Sequence, residues 1–499
     1  MTGLADHVAF HAKLRPDRLA AVDLVTDRRW SYAELHRAID RCANVLMQRH
    51  ACHTGDRVAC LSRNRVEFII LHLACARAGL IFVPLNWRLS SAEIRDQLED
   101  ASPRLLVGDA DLAQHGLAGV TFDVLNAQIN DDQLTFLATS DPDRPSLILY
   151  TSGTSGRPKG AMLSERNLAQ TAINFGLLGE VSPDSVFLVD SPLFHIIGLV
   201  TSVRPPLMFG GAILVSDGFQ PARTLARMGD PALGVTHYFC VPQMAIALRR
   251  EPSFNPDALS GMKAIFTGGA PHPAEDIKAY LDLGVSIVDG FGMSEAGTVF
   301  GMPLAPNLIA AKAGCVGVAT PAIAARIVDV NDEDCAIGVA GELLLRGENI
   351  FSGYWRRPDE TRAAFTDDGW FRTGDIAVCD QDGYYKLVDR KKDMFISGGE
   401  NVYPAEIESA LTGAPGLLEC AVVGVADDMW GEVGVCCFVT HPDHDLTAEM
   451  LHARLAGRIA RYKLPRSYLA LDQLPRTGSG KVIKSRLRDL ILAAASQTT

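Results

Sequence analysis

The chain holds no C-x-x-C pair, and its 11 cysteines are an odd number. A zinc ribbon or a disulfide framework is therefore not expected, and a reducing cytoplasm suits the composition. No apolar run approaches the ~18 residues of a membrane span. The first twenty residues carry Asp6, His7, His11, Lys13, Arg15, Asp17 and Arg18, so no signal-peptide core and no transmembrane segment is expected. Positive charge is in deficit: 47 Lys and Arg stand against 59 Asp and Glu, a net charge of −12. That balance disfavours nucleic acid or an anionic membrane as partner. A phosphate-bearing substrate would then have to be held by local amides, a few cations and Mg2+. Internal repeats and low-complexity tracts are absent as well.

What is present predicts an α/β architecture. At 499 residues the chain exceeds what one core usually supports, so two or more domains are expected. Ser31 and Glu34 form a capping-box pair ahead of Leu35, Ile39 and Leu46, which share a helical face. Residues 57–61 read as a strand, 66–78 as a buried helix stopped by Gly79, and 81–85 as the next strand. Short apolar runs at 186–189, 212–215, 237–241, 264–267 and 286–288 continue an alternation that implies largely parallel strands. Several end in Gly, Pro or polar residues, where open α/β sheets place ligands. The charge run Asp389, Arg390, Lys391, Lys392, Asp393 reads as a solvated linker, so the expected domains are 1–390 and 391–499. The second, smaller domain reads as a compact α+β unit, with helices at 404–411, 448–459 and 484–492 and strands at 394–396, 420–425, 433–440 and 468–471.

The most informative segment is 150–160, Y-T-S-G-T-S-G-R-P-K-G, directly after the apolar run 147–149. Gly153, Gly156 and Gly160 permit a tight backbone. Thr151, Ser152, Thr154 and Ser155 supply hydroxyls, and Lys159 supplies a positive charge. A strand opening into such a loop is how amides and hydroxyls converge on phosphate. It is not a Walker A loop, because Lys159 is followed by Gly160 rather than by Ser or Thr. The run ending in Lys481 fails too, with Pro475 where the first Gly belongs and Val482 where the hydroxyl belongs. A P-loop ATPase is not expected.

Further motifs follow in order: P-L-F-H ending in His195, G-G-A-P at 268–271, D-G-F-G-M-S-E at 289–295, W-F-R-T-G-D ending in Asp375, S-G-G-E-N-V-Y-P at 397–404, and P-R-T-G-S-G-K ending in Lys481. Singly, each has an ordinary reading: Glu295 as a helix-start carboxylate, Asp375 as a turn residue, His195 as a satisfied core histidine, Lys481 as a surface lysine. Together, over 330 residues from Thr151 to Lys481, they resemble the adenylate-forming superfamily of acyl-CoA synthetases, nonribosomal-peptide adenylation domains and firefly-type luciferases. The resemblance covers nearly the whole chain. It implies a large N-terminal α/β domain and a small mobile C-terminal domain.

The resemblance also implies ATP, CoA, Mg2+ and a small-molecule carboxylic acid as partners, and it assigns roles. Thr151, Ser152, Gly153, Thr154, Ser155, Gly156 and Lys159 would hold the β- and γ-phosphates, Glu295 with Thr151 would bind Mg2+, and Ser294 would donate to the α-phosphate. Phe291 stands where the family usually has Tyr. With Gly268, Gly269, Ala270 and Pro271 it would sandwich adenine, within a segment completed by Asp289, Gly290, Gly292 and Met293. Asp375 and Arg390 would hold the ribose hydroxyls. Lys481 matches the catalytic lysine, whose ammonium would bridge the substrate carboxylate and the α-phosphate. Lys392 matches the hinge about which the small domain turns, replacing Lys481 with Ser397, Gly398, Gly399 and Glu400 for thioester formation. Trp430 and Tyr462 fall where the adenine of CoA stacks, a core aromatic being an equal reading.

Within the superfamily, the chain stops 18 residues after Lys481, which leaves no room for a carrier domain, and His195 stands near where peptide-synthetase domains carry an Asp. The terminal Gln-Thr-Thr is not a peroxisomal tripeptide of the luciferase kind. Asp289 and Gly290 precede the aromatic of the Phe291 motif where a malonate-type ligase would place Arg. An acid:CoA ligase for an apolar monocarboxylate is the expectation, with His195, Ile196, Gly198, Tyr238, Phe239, Gly268, Gly292, Thr298 and Phe300 lining the acyl pocket. The chain is similar to bacterial fatty-acid and hydroxycinnamate (feruloyl or coumaroyl) CoA ligases. An aromatic acid is the first reading, a medium- or long-chain fatty acid the alternative, and a catalytically inactive nucleotide-binding scaffold the alternative of another class. Retention of Lys481, Glu295 and Asp375 together speaks against the scaffold. Oligomeric state, a homodimer included, is left open by the sequence.

Overall fold

The computed structural model describes residues 6–131, 141–151, 158–270, 272–391, 393–397, 400–427, 429–456, 458–476 and 482–496. Residues 152–157, Pro271, Lys392, Gly398, Gly399 and Lys481 therefore lie outside the described residues. The chain divides into two compact units, one of 1–325 with 345–371, the other of 326–344 with 372–499. No helix among the described residues is long and apolar enough to cross a membrane.

The first unit is built on two sheets. Leu19–Asp23, Ala212–Val215, Val186–Val189, His237–Cys240, Ala264–Thr267 and Ile287–Met293 lie side by side in that order, all parallel. Gly297–Gly301 then pairs antiparallel with Ile287–Met293. In the second sheet Leu105–Gly108, Arg57–Leu61, Ile81–Leu85 and Pro145–Thr151 are parallel neighbours, followed antiparallel by Lys159–Ser164 and Gly353–Tyr354. The expected strands at 57–61, 81–85, 186–189, 212–215 and 264–267 appear with those bounds. The helix Tyr32–Gln48 starts on the expected capping box, Ser31 N–H donating to the Glu34 carboxylate at 2.8 Å. The helix Val66–Ala78 is mostly apolar and buried around nearly its whole circumference, and it ends on Gly79 at φ 67°, a conformation that costs glycine nothing.

A buried ionic network ties the helices of this unit to its sheets. Arg204 donates through Nη1 and Nη2 to the two oxygens of Glu165, at 2.8 and 3.0 Å, and through Nη2 to His72 Nε2 at 2.8 Å. Ser146 donates to Glu165 at 2.6 Å. Burial acts to raise the Glu165 carboxyl and is outweighed by the paired guanidinium, which leaves it at about 2. His72, fully buried, is pulled down to about 3 by burial and then by Arg204. It therefore stays neutral and accepts from Arg204. Buried charge of this kind is tolerated because the fork-to-fork geometry satisfies both partners.

The second unit contains a five-stranded sheet in which Gly431–Thr440 is central, antiparallel to Leu417–Asp427 and Phe395–Ser397 and parallel to Ser467–Ala470. Strand alternation divides its side chains between two cores. Val422, Cys436 and Phe438 pack with Phe395, Ile407, Leu411, Leu451 and Leu455, whereas Ala421, Val423, Val435, Cys437 and Val439 pack with Leu474 and Leu487. The expected helix at 448–459 ends at Leu455, where Ala456 leaves the helical region at φ −59° and ψ 126°. The expected helix at 484–492 extends instead to Ser496.

The run at 389–393 is not a free solvated linker at its start. Asp389 and Arg390 close the strand Tyr385–Arg390, and the Asp389 carboxylate accepts the Ala405 N–H at 2.8 Å. Arg390 Nε lies 2.6 Å from Asp375 Oδ1, and Lys391 Nζ lies 2.8 Å from Glu342 Oε2. Composition marked the charges; their partners are distant in sequence.

Candidate active site

Thr151 ends the strand Pro145–Thr151, Lys159 begins Lys159–Ser164, and the two stand opposite each other in an antiparallel pair. The glycine-rich segment thus connects two neighbouring strands of one sheet, and the Thr151 hydroxyl donates to the Lys159 carbonyl at 3.3 Å across its base. The stem is firm because Leu147, Ile148 and Leu149 are buried beneath it. Lys159 Nζ lies 5.3 Å from the centroid of the Tyr354 ring, within cation–π range. The Tyr354 hydroxyl donates to Glu295 Oε1 at 3.0 Å. One tyrosine thereby touches the lysine of the first motif and the glutamate of a later one. Nothing in the local sequence marks Tyr354 beyond a Gly-Tyr-Trp run at 353–355.

Glu295 sits in the tight turn between Ile287–Met293 and Gly297–Gly301, not at a helix start. Glycine is required here: a side chain at Gly292 would collide with the Gly297 carbonyl, and Gly297, at φ 59°, faces Thr171. Ser294 is half-buried in the same turn, while Glu295 is only 7% exposed. Fully buried Asn349 donates to the carbonyls of Ala296 at 2.5 Å and Thr298 at 3.2 Å. The Phe351 N–H donates to the Glu295 carbonyl at 2.7 Å. The turn is therefore held from the segment that carries Tyr354.

The motif at 268–271 follows Ala264–Thr267 directly, the motif at 289–295 begins within Ile287–Met293, and Thr267 and Asp289 are cross-strand partners. Thr267 Oγ1 lies 3.0 Å from Asp289 Oδ1 and 2.9 Å from His272 Nδ1, and the nearby backbone amides of Gly290 and His272 also act to lower the Asp289 carboxyl. Burial pushes Asp289 up to about 8 against these hydrogen bonds, and it pulls His272 down to about 4. With neutral His272 protonated on Nδ1, every bond in the chain from His272 through Thr267 to Asp289 has one donor. The Asp289 side chain, 3% exposed, is a clamp between the 268–272 and 289–291 segments. Phe291 packs on Phe300 at 5.9 Å.

Of the residues expected to line an acyl pocket, a Cβ at Gly268 would sit 3.3 Å from the Phe239 ring and 3.2 Å from the Gly290 carbonyl; one at neighbouring Gly269 would sit 3.3 Å from Ile197. Phe239 also meets Phe175 at 5.7 Å and Phe266 at 6.5 Å. Gly198 lies in the short helix Ile197–Thr201, where a side chain would collide with the Pro192 carbonyl. The structure thus gathers Phe239, Gly268, Gly269 and Ile197. Tyr238 does not join them: neighbouring strand residues face opposite sides of a sheet, and Tyr238 is wholly buried beside Asp190 and Thr224. Phe300 is likewise fully buried, and Thr298 nearly so.

In the second unit, Asp375 and Arg390 are cross-strand partners joined by the 2.6 Å ion pair. Ser397 is buried and pairs with Gly431. Trp430 and Tyr462 are 43% and 42% exposed, so neither is a core aromatic. Among the described residues no group of three or more His, Cys, Asp or Glu could hold a metal ion. Glu295 and Thr151 offer oxygen atoms only, which fits a hard cation completed by substrate oxygens.

Residues 8–355 match the AMP-binding enzyme family and residues 406–481 match the AMP-binding enzyme C-terminal domain. The chain is 38% identical to a feruloyl-CoA synthase of Amycolatopsis sp over 464 residues, 92% of this chain and 93% of that one. It is 37% identical to an indoleacetate–CoA ligase of Aromatoleum aromaticum over 506 residues, 98% of each. Among solved structures it is similar to the o-succinylbenzoate coenzyme A synthetase (MenE) of Bacillus subtilis in complex with ATP and magnesium ion, with a TM-score of 0.88 at 28% identity over 98% of this chain and 100% of that one. With the motifs in order and the fold in agreement, this chain belongs to the AMP-binding enzyme family, as an ATP-dependent, AMP-forming acyl-CoA synthetase.

Proposed function

We propose that this enzyme activates a monocarboxylic acid bearing an aromatic ring and passes it to CoA. A carboxylate oxygen attacks the α-phosphorus of ATP, the bond to the bridging oxygen breaks, and pyrophosphate leaves. The CoA sulfur then attacks the acyl carbon of the adenylate, and AMP leaves with the former carboxylate oxygen. The observation that carries the reading is the meeting of Lys159 and Glu295 on Tyr354, a cation and a carboxylate where a metal–triphosphate needs both.

Thr151, Lys159 and the intervening residues hold the β- and γ-phosphates, and Ser294 donates to the α-phosphate. Glu295 and Thr151 hold Mg2+, which when bound neutralises phosphate charge. Phe291 and the 268–271 segment flank adenine, while Asp375 and Arg390 take the ribose hydroxyls. Phe239 and Gly268 bound the acyl site. An aromatic acid is supported by the ring-lined surroundings of Phe239 and by two relatives at 37–38% identity whose acids, ferulate and indoleacetate, carry rings. The test is ATP, Mg2+ and CoA with hydroxycinnamates, arylacetates and fatty acids. AMP and pyrophosphate should form in step with thiol loss, with kcat/KM for a ring-bearing acid at least ~10-fold above any fatty acid. The reverse preference overturns the substrate, and ADP as product overturns the reaction.

Residues 391–499 act as the mobile part, turning about Lys392 to exchange Lys481 for the 397–400 loop, with Trp430 and Tyr462 against CoA. Lys481→Ala should slow acyl-adenylate formation by roughly 10²-fold or more, yet convert supplied acyl-adenylate to acyl-CoA at a near-normal rate. Equal damage to both half-reactions contradicts the exchange.

A further inference from the structure

Tyr354 reaches the site through a strand that no motif announced. Gly353–Tyr354 pairs antiparallel with Lys159–Ser164, Tyr354 opposite Ala161, and the Trp355 N–H donates to the Gly160 carbonyl at 2.8 Å. The tyrosine is therefore locked to the strand that begins with Lys159. Its own N–H donates to Thr361 Oγ1 at 2.9 Å, and a side chain at Gly353 would press within 2.5 Å of Thr361. The ring meets Phe351 edge-on at 4.8 Å, and Phe351 N–H in turn holds the Glu295 carbonyl. Backbone and side chain of Glu295 are thus both gripped from residues 351–354. The hydroxyl takes one carboxylate oxygen, Oε1, at 3.0 Å, while the ring faces the ammonium of Lys159.

We propose that Tyr354 is a positioning residue for adenylation: its hydroxyl orients the Glu295 carboxylate toward the metal–nucleotide, and its ring holds the Lys159 ammonium at the phosphates. The two contacts are chemically separable. Loss of the hydroxyl leaves the ring and acts on the carboxylate alone; loss of the ring acts on the lysine as well. This rests on the reading of Glu295 as the metal-binding carboxylate, so Glu295→Gln serves as the reference.

The experiment uses full-length enzyme and reads two quantities: the Mg2+ concentration giving half-maximal rate at saturating ATP, and the calorimetric Kd for ATP without Mg2+. A partner that orients a metal ligand is worth ~10- to 100-fold in metal affinity. Tyr354→Phe should raise the half-maximal Mg2+ concentration by about 10-fold while kcat at saturating Mg2+ stays within about 3-fold, with metal-free ATP binding unchanged. Tyr354→Leu should weaken metal-free ATP binding too. If Glu295→Gln leaves the Mg2+ requirement unchanged, the reading of Glu295 fails. If Glu295→Gln shifts it and Tyr354→Phe does not, the positioning role fails. Should Tyr354→Phe not fold, Tyr354→His, which keeps an N–H donor, is set against Tyr354→Leu, and equal Mg2+ requirements in the two overturn the proposal.

Discussion

The proposed phosphate side and the proposed adenine side of the site are built on opposite principles. On the phosphate side, Thr151 and Lys159 are half-buried, and a charged lysine and a carboxylate share a tyrosine at a sheet edge. On the adenine side, Thr267, His272 and Asp289 are all nearly fully buried, and burial drives both titratable groups toward neutrality. One side keeps charge available for a reaction; the other spends its polar groups on holding two loops together. Loss of charge should therefore damage the chemical step, and loss of the clamp should damage binding.

The largest effect is expected from Glu295→Gln, which removes the negative charge proposed to hold Mg2+ on the triphosphate. Turnover at saturating ATP should fall by at least ~10²-fold, the scale for one transition-state stabiliser. A folded variant within a few-fold of wild type would reduce Glu295 to a turn residue. Thr267→Val should be milder. It breaks the link between His272 and Asp289, so KM for ATP should rise by roughly 10-fold, about what one lost buried hydrogen bond supports, with kcat nearly unchanged.

The smallest effect concerns stability against pH, and its sign sets His72, Glu165 and His272, all lowered, against Asp289, which is raised. His72 titrates at about 3 in the folded protein against 6.5 when free. Its contribution is fully present above pH 6.5 and is lost as pH falls toward 3, because the unfolded chain then binds a proton that the folded one refuses. Glu165, at about 2 against 4.5, adds to the loss below pH 4.5. Asp289, raised from 3.8 to about 8, works the other way: its contribution is present below pH 3.8 and is lost as pH rises through 8. His72→Gln should flatten the acid arm of the unfolding midpoint, and Asp289→Asn the arm between pH 4 and 8. The assignment fails if each substitution flattens the other's arm, or if neither changes the profile.

Much of this was legible in the chain. Strands such as 57–61 and 264–267 are short apolar runs punctuated by polar residues and glycine, and parallel-sheet burial gives them clean ends. The motif order sufficed for the family. Tyr354 was not legible, because it comes to Lys159 across nearly 200 residues of chain, by pairing at a sheet edge that no local pattern marks. Glu295 in a hairpin rather than at a helix start follows from Gly292 and Gly297, whose packing only the fold reveals. The separation of Tyr238 from Phe239 was readable in principle, since adjacent strand residues cannot line one pocket. The partners of the 389–393 charges lie too far off in sequence to be inferred from composition.

The contrast between the two sides is tested most directly by single-turnover pyrophosphate release, measured for Glu295→Gln and Thr267→Val as ATP is raised to saturation. Thr267→Val is expected to recover the wild-type rate once ATP is saturating, while Glu295→Gln stays at least ~10²-fold slow at every concentration. Recovery of Glu295→Gln at high ATP, or a Thr267→Val rate that stays equally depressed at saturation, would contradict it.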